Sequence, residues 1–144
     1  MNLGPPLGTR TDPKASAHPG HKIVALRGEL DIATTPILRE RLNEALNTAA
    51  ALGKRLIIDL SGVSFCDASG LAVLIGTQRR ARLHATPLCL AAPGPQMTKL
   101  LHITGLDRGL TIHPTLTAAI RSDPAPVARR SQGPRRVART SARV

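Results

Sequence analysis

Leu56-Ile57-Ile58-Asp59-Leu60-Ser61-Gly62-Val63-Ser64-Phe65-Cys66-Asp67-Ala68-Ser69-Gly70-Leu71 reads as a buried strand, a tight loop and the start of a helix. Leu56 to Leu60 is apolar without alternation except at Asp59, as in a central strand covered on both faces. Asp67 is of the type that caps a helix, and Gly70 lets that helix approach a neighbouring strand. A helix N-terminus presents unpaired N–H groups and a partial positive charge, so it suits a phosphate or carboxylate. Ser69 is therefore placed where its own helix would stabilise a phosphate carried on it. Plain architecture accounts for the same residue types.

Working outward, Ile23, Val24 and Leu26 predict a strand over 22–27, and Gly28-Glu29-Leu30-Asp31 then turns the chain. Thr34 or Thr35 is expected to cap the next helix, with Pro36 in its first turn. Leu38, Leu42, Ala45, Leu46 and Ala49 recur at helical spacing until Gly53. A second helix runs from Ala68 to about His84, and a short buried strand covers Pro87 to Ala91. A helix from Pro95 to Thr104, a strand from Leu110 to His113 and a closing helix from Thr115 to Arg121 complete the series. Strand and helix alternate, which predicts one small α/β domain over residues 22–121. Residues 1–21 are rich in Pro and Gly, residues 122–144 in Arg and Pro, and both are expected to be disordered extensions.

The net charge of +11 is uneven. Residues 23–120 hold ten basic and seven acidic side chains, whereas residues 121–144 hold seven arginines against Asp123. The tail could touch nucleic-acid phosphates or a membrane surface, but it is short and lacks aromatic interleaving. It is read as a solvated extension, and nucleic acid is not expected as a partner. Phe65 is the single aromatic residue, which excludes modules that stack bases on aromatic rings.

Catalytic and metal chemistry find little support. A nucleophile elbow needs glycine two residues either side of the serine, where Asp67 and Leu71 stand. No phosphate-binding GxxxxGK[ST] motif occurs, and Glu29 and Asp31 lack a third group that would mark them as an acid–base pair. His18, His21, His84, His102 and His113 have no recurring spacing, and Cys66 and Cys89 form neither a CxxC nor a zinc set. The cysteines read as small buried hydrophobes in a reducing cytoplasm. No metal and no cofactor are expected. No apolar run approaches a membrane span and no signal-peptide core is present, so a cytoplasmic location is expected.

On the second helix, Leu71, Leu74, Ile75 and Gln78 share one face by helical spacing. Val73, Gly76, Thr77 and Arg80 lie opposite, and form either a small-residue patch for a protein partner beside Ser69 or a surface covered by another helix.

The ordered set of Gly28-Glu29-Leu30-Asp31, Leu56-Ile57-Ile58-Asp59-Leu60-Ser61, Phe65-Cys66-Asp67-Ala68-Ser69-Gly70-Leu71, Met97-Thr98-Lys99-Leu100-Leu101 and Ile103-Thr104-Gly105-Leu106 resembles the STAS domain. More narrowly it resembles the bacterial anti-sigma factor antagonists. The resemblance implies a four- to five-stranded mixed sheet flanked by helices and no catalytic activity. It implies binding to an anti-sigma factor that is also a serine kinase, which releases a sigma factor for transcription. Asp31, Asp67, Ala68, Ser69, Gly70, Val73 and Thr77 are the expected partner-binding residues. In the family the kinase phosphorylates the residue directly after the aspartate. Here that residue is Ala68, which has no hydroxyl, and Ser69 is the remaining candidate for phosphorylation. A STAS module serving another signalling or transport complex is the alternative that the resemblance leaves open.

Overall fold

The computed structural model describes residues 20–123. The chain folds as β1 (His21–Leu30), α1 (Thr35–Leu52), β2 (Arg55–Cys66), α2 (Ala68–Leu83), β3 (Leu88–Ala91), α3 (Pro95–Ile103), β4 (Thr111–His113) and α4 (Leu116–Arg121). Residues 1–19 and 124–144, which hold most of the expected extensions, lie outside the described residues.

The four strands stand in sequence order and every neighbouring pair is parallel. The sheet is thus wholly parallel among the described residues, not mixed. Alternation sorts the strand residues between two faces. Val24, Leu26, Leu56, Ile58, Leu60 and Leu90 pack with the buried residues of α1, α2 and α3 into the main core. Ile57, Cys89 and Ala91 point the other way, where Ala119, Leu116 and Ile120 of α4 meet them. Both faces of β2 are buried, which explains its unbroken apolar run. The core is aliphatic, and its cysteines Cys66 and Cys89 are buried and unpaired.

β1 and β2 run further than their sequences suggest. β1 continues through Gly28 to Leu30, because Gly28 adopts φ +81° beside a register shift and so forms a bulge, not a turn. β2 continues through Ser61–Cys66, where a tight loop was expected. Two shifts, between Ala25 and Arg27 and between Gly28 and Glu29, each place an extra β2 residue opposite β1. The result is a two-stranded ribbon extending past the ends of β3 and β4. Its outer side is closed by α3. The Gln96 side chain donates to the Cys66 carbonyl (2.9 Å) and accepts from the Cys66 N–H (3.0 Å), as a neighbouring strand would.

The helices start and stop for local reasons. Pro36 occupies the first turn of α1, as expected, but Thr34 makes no side-chain cap to the helix. Gly53, at φ +67°, ends α1, and the Lys54 N–H closes the turn on the Ala49 carbonyl at 2.8 Å. α4 is only six residues long and needs an anchor. Buried Arg55 supplies it, donating to the Ile120 carbonyl at 2.9 Å and the Ser122 hydroxyl at 3.3 Å. Arg55→Ala should therefore lower the unfolding free energy by about 1.5–3 kcal/mol in urea titration; a loss below about 0.5 kcal/mol would show that α4 is held otherwise.

Candidate functional site

The site is built where β1 and β2 end side by side. Leu30 is paired with Cys66, and the Asp67 N–H extends the ladder by donating to the Leu30 carbonyl at 3.0 Å. The β1–α1 turn and the start of α2 are consequently neighbours. Gly70 makes this approach possible. A Cβ added there would lie 2.5 Å from the Leu30 carbonyl oxygen and 2.7 Å from the Leu30 Cβ, too close for any side chain. The close helix-to-strand approach expected of Gly70 is observed.

Asp67 caps α2 as its sequence position suggests. One carboxylate oxygen accepts from the Ser69 N–H at 2.8 Å and from the Gly70 N–H at 3.1 Å. The same bonds change the expectation for a phosphate. Two of the free N–H groups of the helix start are already taken, and the group that takes them is negatively charged. This helix end is self-neutralised, so a phosphate on Ser69 would meet a carboxylate.

Asp31 is likewise engaged in its own turn. Its carboxylate accepts from the Ala33 and Thr34 N–H groups at 3.0 and 3.1 Å, while its N–H donates to the Thr34 hydroxyl at 2.9 Å. The Thr34 hydroxyl in turn donates to the Glu29 carbonyl at 2.9 Å. This reciprocal pair, and not a threonine cap on the helix, shapes the entry to α1. Asp31 thus holds a rigid turn whose next residue, Ile32, is 73% exposed.

The solvent-side face of α2 is not the one expected. Val73 and Thr77 are buried, together with Leu71, Leu74 and Ala81, because α1 packs alongside α2 and covers them. The Thr77 hydroxyl turns inward to the Val73 carbonyl at 2.9 Å, as a buried hydroxyl must. Val73 and Thr77 are therefore core residues and not partner contacts, while Gln78 reaches the Gly109 carbonyl at 3.4 Å. The residues left outward at the helix start are Ala68, which is exposed, Ser69, which is half-buried, and Ala72, one turn after Ala68. Ala72 is missed by the sequence reading, although the i, i+4 rule applied to Ala68 finds it.

Phe65, at the end of β2, is 43% exposed, and Ile37, in the first turn of α1, is 63% exposed. An open groove of about 320 Å³ runs between β1 and the start of α1, walled by Leu26, Leu30, Ile37 and Leu38 and rimmed by Arg27, Glu29, Thr34 and Arg41. The surface is apolar at its centre and carries charge at its edge, the composition of a protein-docking patch. Among the described residues no group of three or more His, Cys, Asp or Glu side chains is arranged to hold a metal ion.

Cys66 lies behind this surface, its thiol donating to the Asp67 carbonyl at 3.4 Å. Burial, and then the neighbouring Asp67 carboxylate, push its pKa from 9.0 up to about 11. The thiol stays protonated at neutral pH and is a poor nucleophile.

Two outcomes follow from this packing. Gly70→Ala should cost about 1–3 kcal/mol of stability, because the new methyl group must push α2 away from Leu30; an unchanged urea midpoint would contradict the contact. The folded state holds the Cys66 proton more tightly than the unfolded chain does, so its contribution is complete below pH 9.0 and is lost as pH rises towards about 11. The urea midpoint should fall over that interval, and fall less in Cys66→Ala; equal declines in the two proteins would exclude Cys66 as the source.

Comparison with known proteins agrees with this arrangement. The STAS domain family model matches residues 12–119. An anti-sigma-B factor antagonist of Bacillus subtilis is 35% identical over 83 residues, covering 58% of this chain and 72% of that protein. The anti-sigma-F factor antagonist RsfB of Mycobacterium tuberculosis is 29% identical over 103 residues, covering 72% and 81% respectively. The crystal structure of an anti-sigma factor antagonist from Mycobacterium paratuberculosis superposes with a TM-score of 0.62 at 30% identity, covering 73% of this chain and 89% of that one. The fold, the capped helix start beside the β1 turn and these relatives together place the chain in the STAS domain family, among the anti-sigma factor antagonists.

Proposed function

We propose that this chain docks on an anti-sigma factor through the surface made by the β1–α1 turn, Phe65 and the first turn of α2, and so frees a sigma factor to direct transcription. The role is one of binding, not catalysis, and it is exercised in the cytoplasm. The single observation that carries the reading is the juxtaposition of a self-capped, uncharged helix start with the rigid Asp31 turn. Asp67 and Gly70 build the surface, whereas Ile32, Phe65, Ala68, Ser69 and Ala72 face the partner. Asp31 acts by holding Ile32 outward.

The chain should act without a phosphorylation switch. A phosphate adds about −2 charge, and in an apolar interface it would disrupt docking by repulsion and desolvation. Ala68 offers no hydroxyl at the position where relatives are expected to carry that group. Ser69 is a weak substitute: its N–H is held by the Asp67 carboxylate at 2.8 Å, and a phosphate there would stand against that charge. The antagonist is thus permanently in its binding form, and control must act on its amount or on its partner.

The test uses a cognate anti-sigma factor with kinase activity, ATP and the full chain. The wild type should bind and remain unmodified by mass spectrometry. Ala68→Ser should bind and then gain phosphate, and Ala68→Glu should lose affinity about tenfold or more, which corresponds to at least about 1.4 kcal/mol. Phosphate on Ser69 of the wild type would overturn the permanent state, and full binding by Ala68→Glu would overturn the surface.

A further inference from the structure

We propose that the opposite end of the domain is a second binding site, one that holds the phosphate backbone of double-stranded nucleic acid. Because all four strands are parallel, the molecule has two distinct ends. The Ala68 surface lies at the carboxyl ends of the strands. At the other end, the register aligns His21 with Arg55 and Leu56 with Leu88, while β4 starts beside Cys89. The last turns of α1 and α2, and the approach to β4, therefore gather at this end.

These segments are basic. Arg79 and Arg82 are exposed on the last turns of α2, Arg108 is exposed ahead of β4, and Lys54 is half-exposed between α1 and β2. The Gln78 bond to the Gly109 carbonyl brings the α2 group beside the Arg108 loop. No acidic residue occurs between Asp67 and Asp107, and Asp107 is engaged by His102 at 3.0 Å. The helix dipole accounts for a cation in the last turn of α2, but not for Arg108.

The chain also leaves the domain here. Arg55, the first residue of β2, fixes the end of α4 through Ile120 and Ser122, with exposed Arg121 between them. The sequence after Asp123 carries six further arginines, at 129, 130, 135, 136, 139 and 143, and no acidic residue. Read by itself that tail is too short to assign, and it was taken above as a solvated extension. The fold changes this by starting it from an end that is already cationic.

The composition selects the ligand. Arginine forks bind phosphate oxygens in a bidentate manner, and the tail contains arginine without lysine. Its apolar side chains beyond proline are alanine and valine alone, so it lacks the aromatic and leucine anchors of a membrane-surface segment. The one aromatic residue, Phe65, sits at the far end, so single-strand stacking has no platform here. Backbone phosphates of a duplex, read without sequence preference, are the match.

The experiment measures fluorescence polarisation of a labelled, mixed-sequence DNA duplex titrated with the full chain over a salt series. Full-length R79Q/R82Q/R108Q is the comparison, with circular dichroism to show an unchanged fold. The wild type should bind at low salt, with log affinity falling linearly against log salt. Each lost phosphate contact lowers that slope by about 0.9, so the triple variant should show a slope smaller by about 2–3. Absence of duplex binding by the wild type, or an unchanged slope in the folded variant, would overturn the proposal. Retention on phosphatidylglycerol vesicles without duplex binding would overturn it in favour of a lipid surface.

Discussion

The contact between Gly70 and the end of β1 is the constraint on which the site depends. A helix following a parallel strand ordinarily stands off from the neighbouring strand by the width of a side chain. Here the first turn of α2 rests on the Leu30 carbonyl, within a distance that no Cβ permits. That approach lets the Asp67 N–H complete the β1–β2 ladder and aligns the Asp31 turn with Ala68. Two loops from different parts of the chain thereby become one surface. The ribbon beneath them is held on its outer side by Gln96, whose amide satisfies both backbone groups of Cys66. An unpaired strand end in that position would leave buried polar groups unsatisfied, at about 1–3 kcal/mol each.

The electrostatics of the same surface argue for docking over switching. A helix start with free N–H groups would welcome an anion. This one has spent two of its N–H groups on Asp67, and its outward residues are alanine, a half-buried serine and alanine. Charge is displaced to the rim and to the far end of the domain. The polarity of a parallel sheet makes such a separation available, since all loops of one kind emerge together. The protein therefore presents two chemically different ends, an apolar one built around Ala68 and a cationic one built around Arg79, Arg82 and Arg108.

Much of this was legible in the sequence, and the exceptions have identifiable causes. The α/β alternation, the helix cap at Asp67, the close approach at Gly70 and the end of α1 at Gly53 were readable because each rests on a residue with a local conformational preference. The extension of β1 and β2 was not, because the bulges at Gly28 and within Ser61–Phe65 gain their pairing only from the partner strand. Gln96 could not be placed, since its bonds to Cys66 span thirty positions. Val73 and Thr77 were assigned to the wrong side for a similar reason. One sheet-facing stripe was assumed for α2, whereas α1 buries a second stripe beside it. Helical periodicity reports that a face is apolar or small but not how many neighbours the helix has.

The central claim is that the partner sits on the apolar end, across the β1–α1 turn and the first turn of α2. Hydrogen–deuterium exchange of the full chain, free and bound to its anti-sigma factor, tests this most directly. Slowed exchange should be concentrated in peptides covering Asp31 to Ile37 and Phe65 to Ala72. Slowed exchange confined to the last turn of α2 and the Arg108 loop, with the Ala68 end unchanged, would contradict the account.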